Sequence, residues 1–178
     1  ILLLFAAYYY GSLSRSGFYG ALIMGIIVTL IGSWRFLFPL ATFFILSSLL
    51  SKIVKNTSFY QTKGSARDIV QVYANGGIAL LICIFDFIQP NAINFFLFLA
   101  SISAAMSDTW ATEIGKISKK RPISIVNFIP MDHGLSGGIT RIGIIGSLLG
   151  SSLFGFTIWC VIPMPSFIVY GIILCGFV

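Results

Sequence analysis

From Phe18 to Ser51 the chain carries a single charged residue, Arg35. Runs of the same character recur at 68–88, 93–114, 139–162 and 166–178, none with more than two charged residues. About 20 apolar residues suffice for an α-helix to cross the ~30 Å hydrocarbon core of a bilayer. Composition agrees: 57% of the 178 residues are hydrophobic and 9% charged, where soluble domains have about 25% charged. A water-soluble fold of this size could not bury so much apolar surface. The bilayer is the solvent, and no nucleic-acid partner is expected.

Backbone groups in hydrocarbon must be satisfied within each segment. The expected fold is therefore all-α, a polytopic transmembrane helical bundle without a β-sheet, forming a single domain over 1–178. The opening run "ILLLFAAYYY" is about half a span and reads as the tail of a truncated first helix; Val178 falls inside another apolar run. About six to seven membrane segments follow, the first and last truncated, in a fragment of a longer chain. The spans at 18–34 and 36–51 are short and meet at Trp34 and Arg35. They read as a tight helical hairpin in which neither arm crosses fully. Cys83, Cys160 and Cys175 all lie in apolar runs, with a spacing that fits neither a metal site nor a disulfide framework.

Alternating the spans puts the connections 11–17, 52–67 and 115–138 on one face. Arg15, Lys52, Lys55, Lys63, Arg67, Lys116, Lys119, Lys120 and Arg121 lie there, with Arg141 at its edge, against Arg35 alone on the other. That bias marks this face as cytoplasmic. Asp68, Asp108, Glu113 and Asp132 gather on the same face, although topology does not demand acids there. Ionisable residues at membrane depth are functional candidates.

Three segments carry the candidates. In "KGSARDIVQVYANGG", Arg67, Gln71 and Asn75 recur at four-residue steps beside Asp68; interhelical hydrogen bonding is the plainer reading of such a stripe. In "AAMSDTWATEIGKISKKRP", Ser101, Ala104, Ala105, Asp108, Ala111, Thr112 and Gly115 form a small-residue stripe with room for a ligand beside Asp108. Glu113 lies about 140° further round the helix, so the two acids serve one metal only if the helix end unwinds. Otherwise one binds metal and the other pairs with a cation, or both are interfacial ion pairs. In "MDHGLSGGITRIG", Gly134, Ser136, Gly137 and Gly138 precede an apolar span that Ser136 or Thr140 could cap. Free N–H groups at such a helix start suit a phosphate. His133, the lone histidine, reads as a loop residue. Carboxylates suit Mg²⁺; cations and backbone N–H groups suit phosphate oxygens.

The motifs "LSRSGFYGAL", "SSLLSK", "RDIVQVYANGG", "SDTWATEIG" and "GLSGGIT", in this order, resemble those of an integral membrane family that includes the plant phytyl-phosphate kinase of vitamin E synthesis. The match spans nearly the whole chain. The Asp108-x-x-Ala111-x-x-x-Gly115 spacing is also similar to the signature of CTP-dependent polyprenol kinases and phosphatidate cytidylyltransferases. The resemblance implies a kinase that phosphorylates an isoprenyl monophosphate (phytyl, geranylgeranyl or farnesyl phosphate), with CTP or another nucleoside triphosphate as donor. It implies Ser14, Arg15, Lys52, Arg67, Asp68, Gln71, Asn75, Asp108, Thr109, Glu113, Ser136, Gly137 and Gly138 as site residues. Leu135 departs from the family's small polar residue, and the family's further C-terminal span with its acid would lie beyond Val178.

The expectation is thus a membrane-embedded, Mg²⁺-dependent lipid-phosphate kinase working at the cytoplasmic face. Asp108, Glu113 and Asp68 are the candidate metal ligands and, with Arg67, the candidate catalytic groups. Lys116, Lys119 and Lys120 are placed on the nucleotide. The lipid tail is expected between helices lined by Phe95, Phe98 and Leu99, with its phosphate near Arg67. The partners are the lipid, the nucleotide and the bilayer, with self-association left open. The alternatives are a CDP-lipid-forming cytidylyltransferase and a small-solute transporter; transporter sites lie at the midplane, whereas these polar groups gather at one face.

Overall fold

The computed structural model describes residues 2–55, 66–132, 135 and 137–177. In chain order the elements are α1 (Leu2–Tyr9), α2 (Arg15–Lys55), α3 (Ile69–Ile88), α4 (Ala92–Gly115), β1 (Ile123–Ser124), β2 (Gly138–Ile139), α5 (Arg141–Val161) and α6 (Ser166–Phe177). Helices α2, α3, α4 and α5 are each long and apolar enough to cross a membrane. The expected helical bundle is the observed architecture.

Helix α2 has 41 residues and would be ~60 Å long if straight. It is not straight. Ser33 has φ 60° and ψ −178°, and the chain reverses there. The contacts of Arg67 require the reversal: its carbonyl oxygen accepts from Ser14 N at 3.0 Å, and its Nη1 donates to Ser48 Oγ at 3.3 Å. In a continuous helix those two serines would stand ~50 Å apart. The hairpin read from the sequence is therefore present, and its second arm is longer than expected. Residues 15–32 span ~27 Å, just under the ~30 Å core, and residues 34–55 span ~33 Å.

The other helix ends follow from local chemistry. Asp68 caps α3: its Oδ1 accepts from Gln71 N at 2.9 Å, and Gln71 Oε1 accepts from Asp68 N at 3.1 Å. That reciprocal capping box satisfies two donors at the helix start. The turn from α3 to α4 is held by Asp86, which accepts from Asn91 N and Asn94 Nδ2, while the Asn91 side chain caps α4 through Ile93 N. Thr140 caps α5, accepting from Gly143 N at 3.0 Å; it was one of the two caps expected.

Helix α4 is the axis of the core. Phe98, Leu99, Ile102 and Met106 are buried with Val28, Phe36 and Phe43 of α2, Leu80 and Cys83 of α3, Phe154 and Ile158 of α5 and Ile172 of α6. It approaches α5 most closely, because α5 turns glycines towards it. A methyl group added at Gly146 would lie 2.8 Å from Trp110 O, and one at Gly150 would lie 2.9 Å from Trp110 Cβ. Small residues permit such approach where lipid gives no hydrophobic drive between helices. The Ser107 hydroxyl then reaches Ser147 O at 3.0 Å across the pair.

One feature departs from the all-helical expectation. β1 and β2 pair antiparallel, Ile123 with Ile139 and Ser124 with Gly138. The ladder lies in the α4–α5 connection, outside the spans, where the bilayer's requirement of self-satisfied segments does not apply.

Ser33 occupies backbone space that is essentially reserved for glycine, at a cost of ~1–3 kcal/mol. Ser33→Gly should therefore raise stability by ~1 kcal/mol, and Ser33→Val should lower it. Denaturant unfolding in detergent checks both signs.

Candidate functional site

Arg67 stands where three pieces of chain meet. Its N–H donates to Ser12 O and its carbonyl accepts from Ser14 N, both at 3.0 Å, in a short parallel bridge with Leu13. Ser14 in turn caps α2, its Oγ accepting from Gly17 N at 3.1 Å. The Arg67 guanidinium turns inward. Its carbon lies 5.8 and 6.0 Å from the ring centroids of Phe43 and Phe44, at the outer limit of a useful cation–π contact. Nη1 reaches Ser48, while Nη2 is buried without a hydrogen-bond partner among the described residues.

Burial lowers the Arg67 pKa, and the Glu113 carboxylate opposes that shift. Arginine stays charged under such perturbation, so a largely buried cation faces one acid. The ion pair of Glu113 is with Lys116, whose Nζ donates to its Oε1 at 2.8 Å. Of the two sequence readings for Glu113, pairing with a cation is the one observed; helix α4 stays wound to Gly115.

Arg67 also forms one wall of an apolar cavity of about 570 Å³ between the arms of α2, with α1 and α3 completing it. Met24, Leu37, Leu40, Phe43 and Phe44 line it, and Asn75 sits in its α3 wall. The cavity is not where the tail was expected. Phe98 is fully buried in the core. Phe95 and Leu99 border a different, 460 Å³ cavity that also holds Arg35, Asp86 and Pro163. Sequence periodicity cannot tell a groove wall from a core face when both are apolar.

The remaining candidates separate into groups. Arg15 is exposed, its Nε donating to the Tyr8 hydroxyl at 3.3 Å. Lys52 lies with Nζ 4.3 Å over the Tyr10 ring. Both are thus at the Arg67 end. Asp68 and Gln71 are exposed and engaged in the α3 cap. Asp108 is exposed on α4, in line with exposed Ala104 and Thr112, and no ion pair or hydrogen bond of its carboxylate occurs among the described residues. Thr109 beside it is half-buried. Lys119 and Lys120 are exposed beyond the end of α4. Gly137 has φ +82° and its carbonyl accepts from Ile125 N, while Gly138 is committed to the β-ladder. Ser136, together with Lys63, His133 and Gly134, lies outside the described residues.

The three candidate metal ligands are not gathered. Among the described residues no group of three or more His, Cys, Asp or Glu could hold a metal ion. A carboxylate cage is thus not what these residues offer. Mg²⁺ commonly takes one or two carboxylates plus substrate phosphates, and the carboxylate of Asp108, unpaired among the described residues, fits that smaller role.

Ser48 and Phe44 were not singled out from the sequence. For Ser48 a signal existed: in "SSLLSK" it stands four residues before Lys52, one helical turn away on the same stripe.

The family model described as integral membrane protein DUF92 matches residues 1–178. The chain is 31% identical over 170 residues to an uncharacterised membrane protein of Methanocaldococcus jannaschii, covering 92% of this chain and 67% of the relative. It is 28% identical over 175 residues to Protein PGR of Arabidopsis thaliana, covering 88% of this chain and 60% of that protein. No solved structure matches.

Gly17 packs directly on the Arg67 carbonyl, where an added Cβ would overlap the oxygen. Gly17→Ala should push the two strands of the bridge apart and cost ~1–3 kcal/mol, the range for overpacking. Denaturant unfolding measures the loss. Photo-crosslinking from position 48 to Arg67 should weaken in parallel.

Proposed function

Because the chain belongs to the DUF92 family of integral membrane proteins, we propose that it is a membrane-embedded lipid-phosphate kinase that converts an isoprenyl monophosphate to the diphosphate. The observation that carries this reading is the apolar cavity ending at Arg67, whose Nη2 lacks a partner among the described residues. An apolar tail with a terminal phosphate matches that arrangement: hydrocarbon between the α2 arms, phosphate oxygens on the guanidinium. A buried donor left unsatisfied is costly, and a ligand that supplies the acceptor recovers the loss. The motif resemblance supports the choice of kinase among lipid-phosphate enzymes.

In this reaction a phosphate oxygen of the lipid attacks the γ-phosphorus of the nucleotide. The bond from that phosphorus to the β,γ-bridging oxygen breaks, and nucleoside diphosphate leaves. Such a transfer asks mainly for positioning and charge neutralisation. Arg67 would hold the acceptor phosphate, with Ser48 keeping the guanidinium in place. Lys116, Lys119 and Lys120 would attract the donor's phosphates, with CTP the favoured donor. Mg²⁺, held by Asp108 and the donor's phosphate oxygens, would supply neutralising charge when bound. The cation-rich end would face the cytoplasm under the positive-inside rule.

Incubation of purified protein with prenyl monophosphates and each nucleoside triphosphate tests the proposal. Prenyl diphosphate plus nucleoside diphosphate is the expected outcome. Pyrophosphate plus a CDP-lipid would instead identify a cytidylyltransferase, which the same groups would serve. Asp108→Asn should lower kcat by ~10²–10³, or ~3–4 kcal/mol, with the fold intact. Wild-type kcat in that variant would remove Asp108 from the site.

Gly25 lies in the cavity wall, and a Cβ added there meets nothing within 4 Å. Gly25→Leu should therefore fill the groove without disturbing the fold. The KM for long prenyl tails should rise ~10-fold, about 1.4 kcal/mol, while the shortest tails are unaffected. A uniform change across tail lengths would place the tail elsewhere.

A further inference from the structure

The connection between α4 and α5 contains "ISIVNFIP", residues 123–130. Loops outside a membrane are normally polar, and a run of exposed apolar residues there calls for a partner. Here Val126 is 85% and Phe128 74% exposed, with Ile125 and Ile129 more than half exposed. The segment is not loosely held. Ser124 N donates to Ile129 O and Phe128 N to Ser124 O, both at 2.9 Å. Ile125 N donates to Gly137 O and Met131 N to Pro122 O, both at 3.0 Å. Phe128 has φ 57°, a conformation unfavourable for a bulky L-residue. The backbone is thus tied into a tight turn that holds its apolar side chains outward.

What surrounds the turn indicates the partner. Lys119, Lys120 and Arg121 immediately precede it and are exposed, and exposed Arg141 follows β2. Asp132 is the one acid between Lys119 and Arg141. Both ends of the connection run straight into membrane-crossing helices, so the turn lies at the surface of the leaflet they enter. Apolar residues flanked by cations are the chemistry of an interfacial anchor, with side chains in the acyl boundary and cations on anionic headgroups. We propose that residues 123–130 form an anchor that inserts into this leaflet and binds anionic phospholipid through Arg121. This rests on neither the kinase reading nor the cavity.

The test places a nitroxide at Val126→Cys, and separately at Asp132→Cys, in protein carrying Cys83→Ala, Cys160→Ala and Cys175→Ala. The full chain is reconstituted in nanodiscs of phosphatidylcholine alone or with phosphatidylglycerol. At position 126 the label should be severalfold more accessible to membrane-soluble oxygen than to a water-soluble nickel chelate, with the reverse at 132. Phosphatidylglycerol should deepen the label at 126, and Arg121→Gln should abolish that response. Equal access of the nickel chelate to both positions would overturn the proposal. So would shielding of position 126 from both reagents, which would mean that protein covers the turn.

Discussion

Two backbone hydrogen bonds, Arg67 N to Ser12 O and Ser14 N to Arg67 O, tie the start of the α2 hairpin to the start of α3. Much of the candidate site depends on this bridge. It sets the guanidinium between the two arms, where Ser48 and the Phe43 and Phe44 rings meet it. The bridge forms because Gly17 has no side chain to keep the strands apart. A hairpin that closed elsewhere would leave Arg67 in water or place it in lipid without a partner, and the second is expensive.

The same position explains the charge pattern. Arg67 lies at a helix boundary, shielded from water and near one acid, Glu113, which Lys116 also occupies. Lys116 engages that carboxylate, so the local balance stays positive. Asp108 belongs to a different surface. It lies 140° around α4 from Glu113 by helical geometry, on an exposed face of the helix.

Much of the fold was legible because the bilayer imposes a strong rule. Apolar runs near 20 residues must be helices, and proline or asparagine between them marks the turns, as Pro90 and Asn91 do before α4. The hairpin at Ser33 was readable from the interruption at Trp34 and Arg35, but the length of its second arm was not, since the helix continues past the apolar run to Lys55. The β-ladder left no signal, because two-residue strands are set by loop closure rather than by periodicity. The apolar turn at 123–130 was equally silent: in a chain so hydrophobic, one more apolar stretch carries little information until its exposure is known.

For the site, sequence alone determined which residue types gather at one end of the molecule: cations by topology, and acids in excess of what topology requires. It could do so because charge is costly in hydrocarbon and therefore conspicuous wherever it occurs. Only the tertiary structure decided how those residues divide. It paired Glu113 with Lys116, left Asp108 exposed, committed Asp68 and Gln71 to a helix cap, and placed an apolar cavity within the α2 hairpin in addition to the one that Phe95 and Leu99 border. Those outcomes depend on which helix faces pack together. That is decided by glycines such as Gly17, Gly146 and Gly150, whose effect lies in the neighbours they admit and cannot be read along one chain.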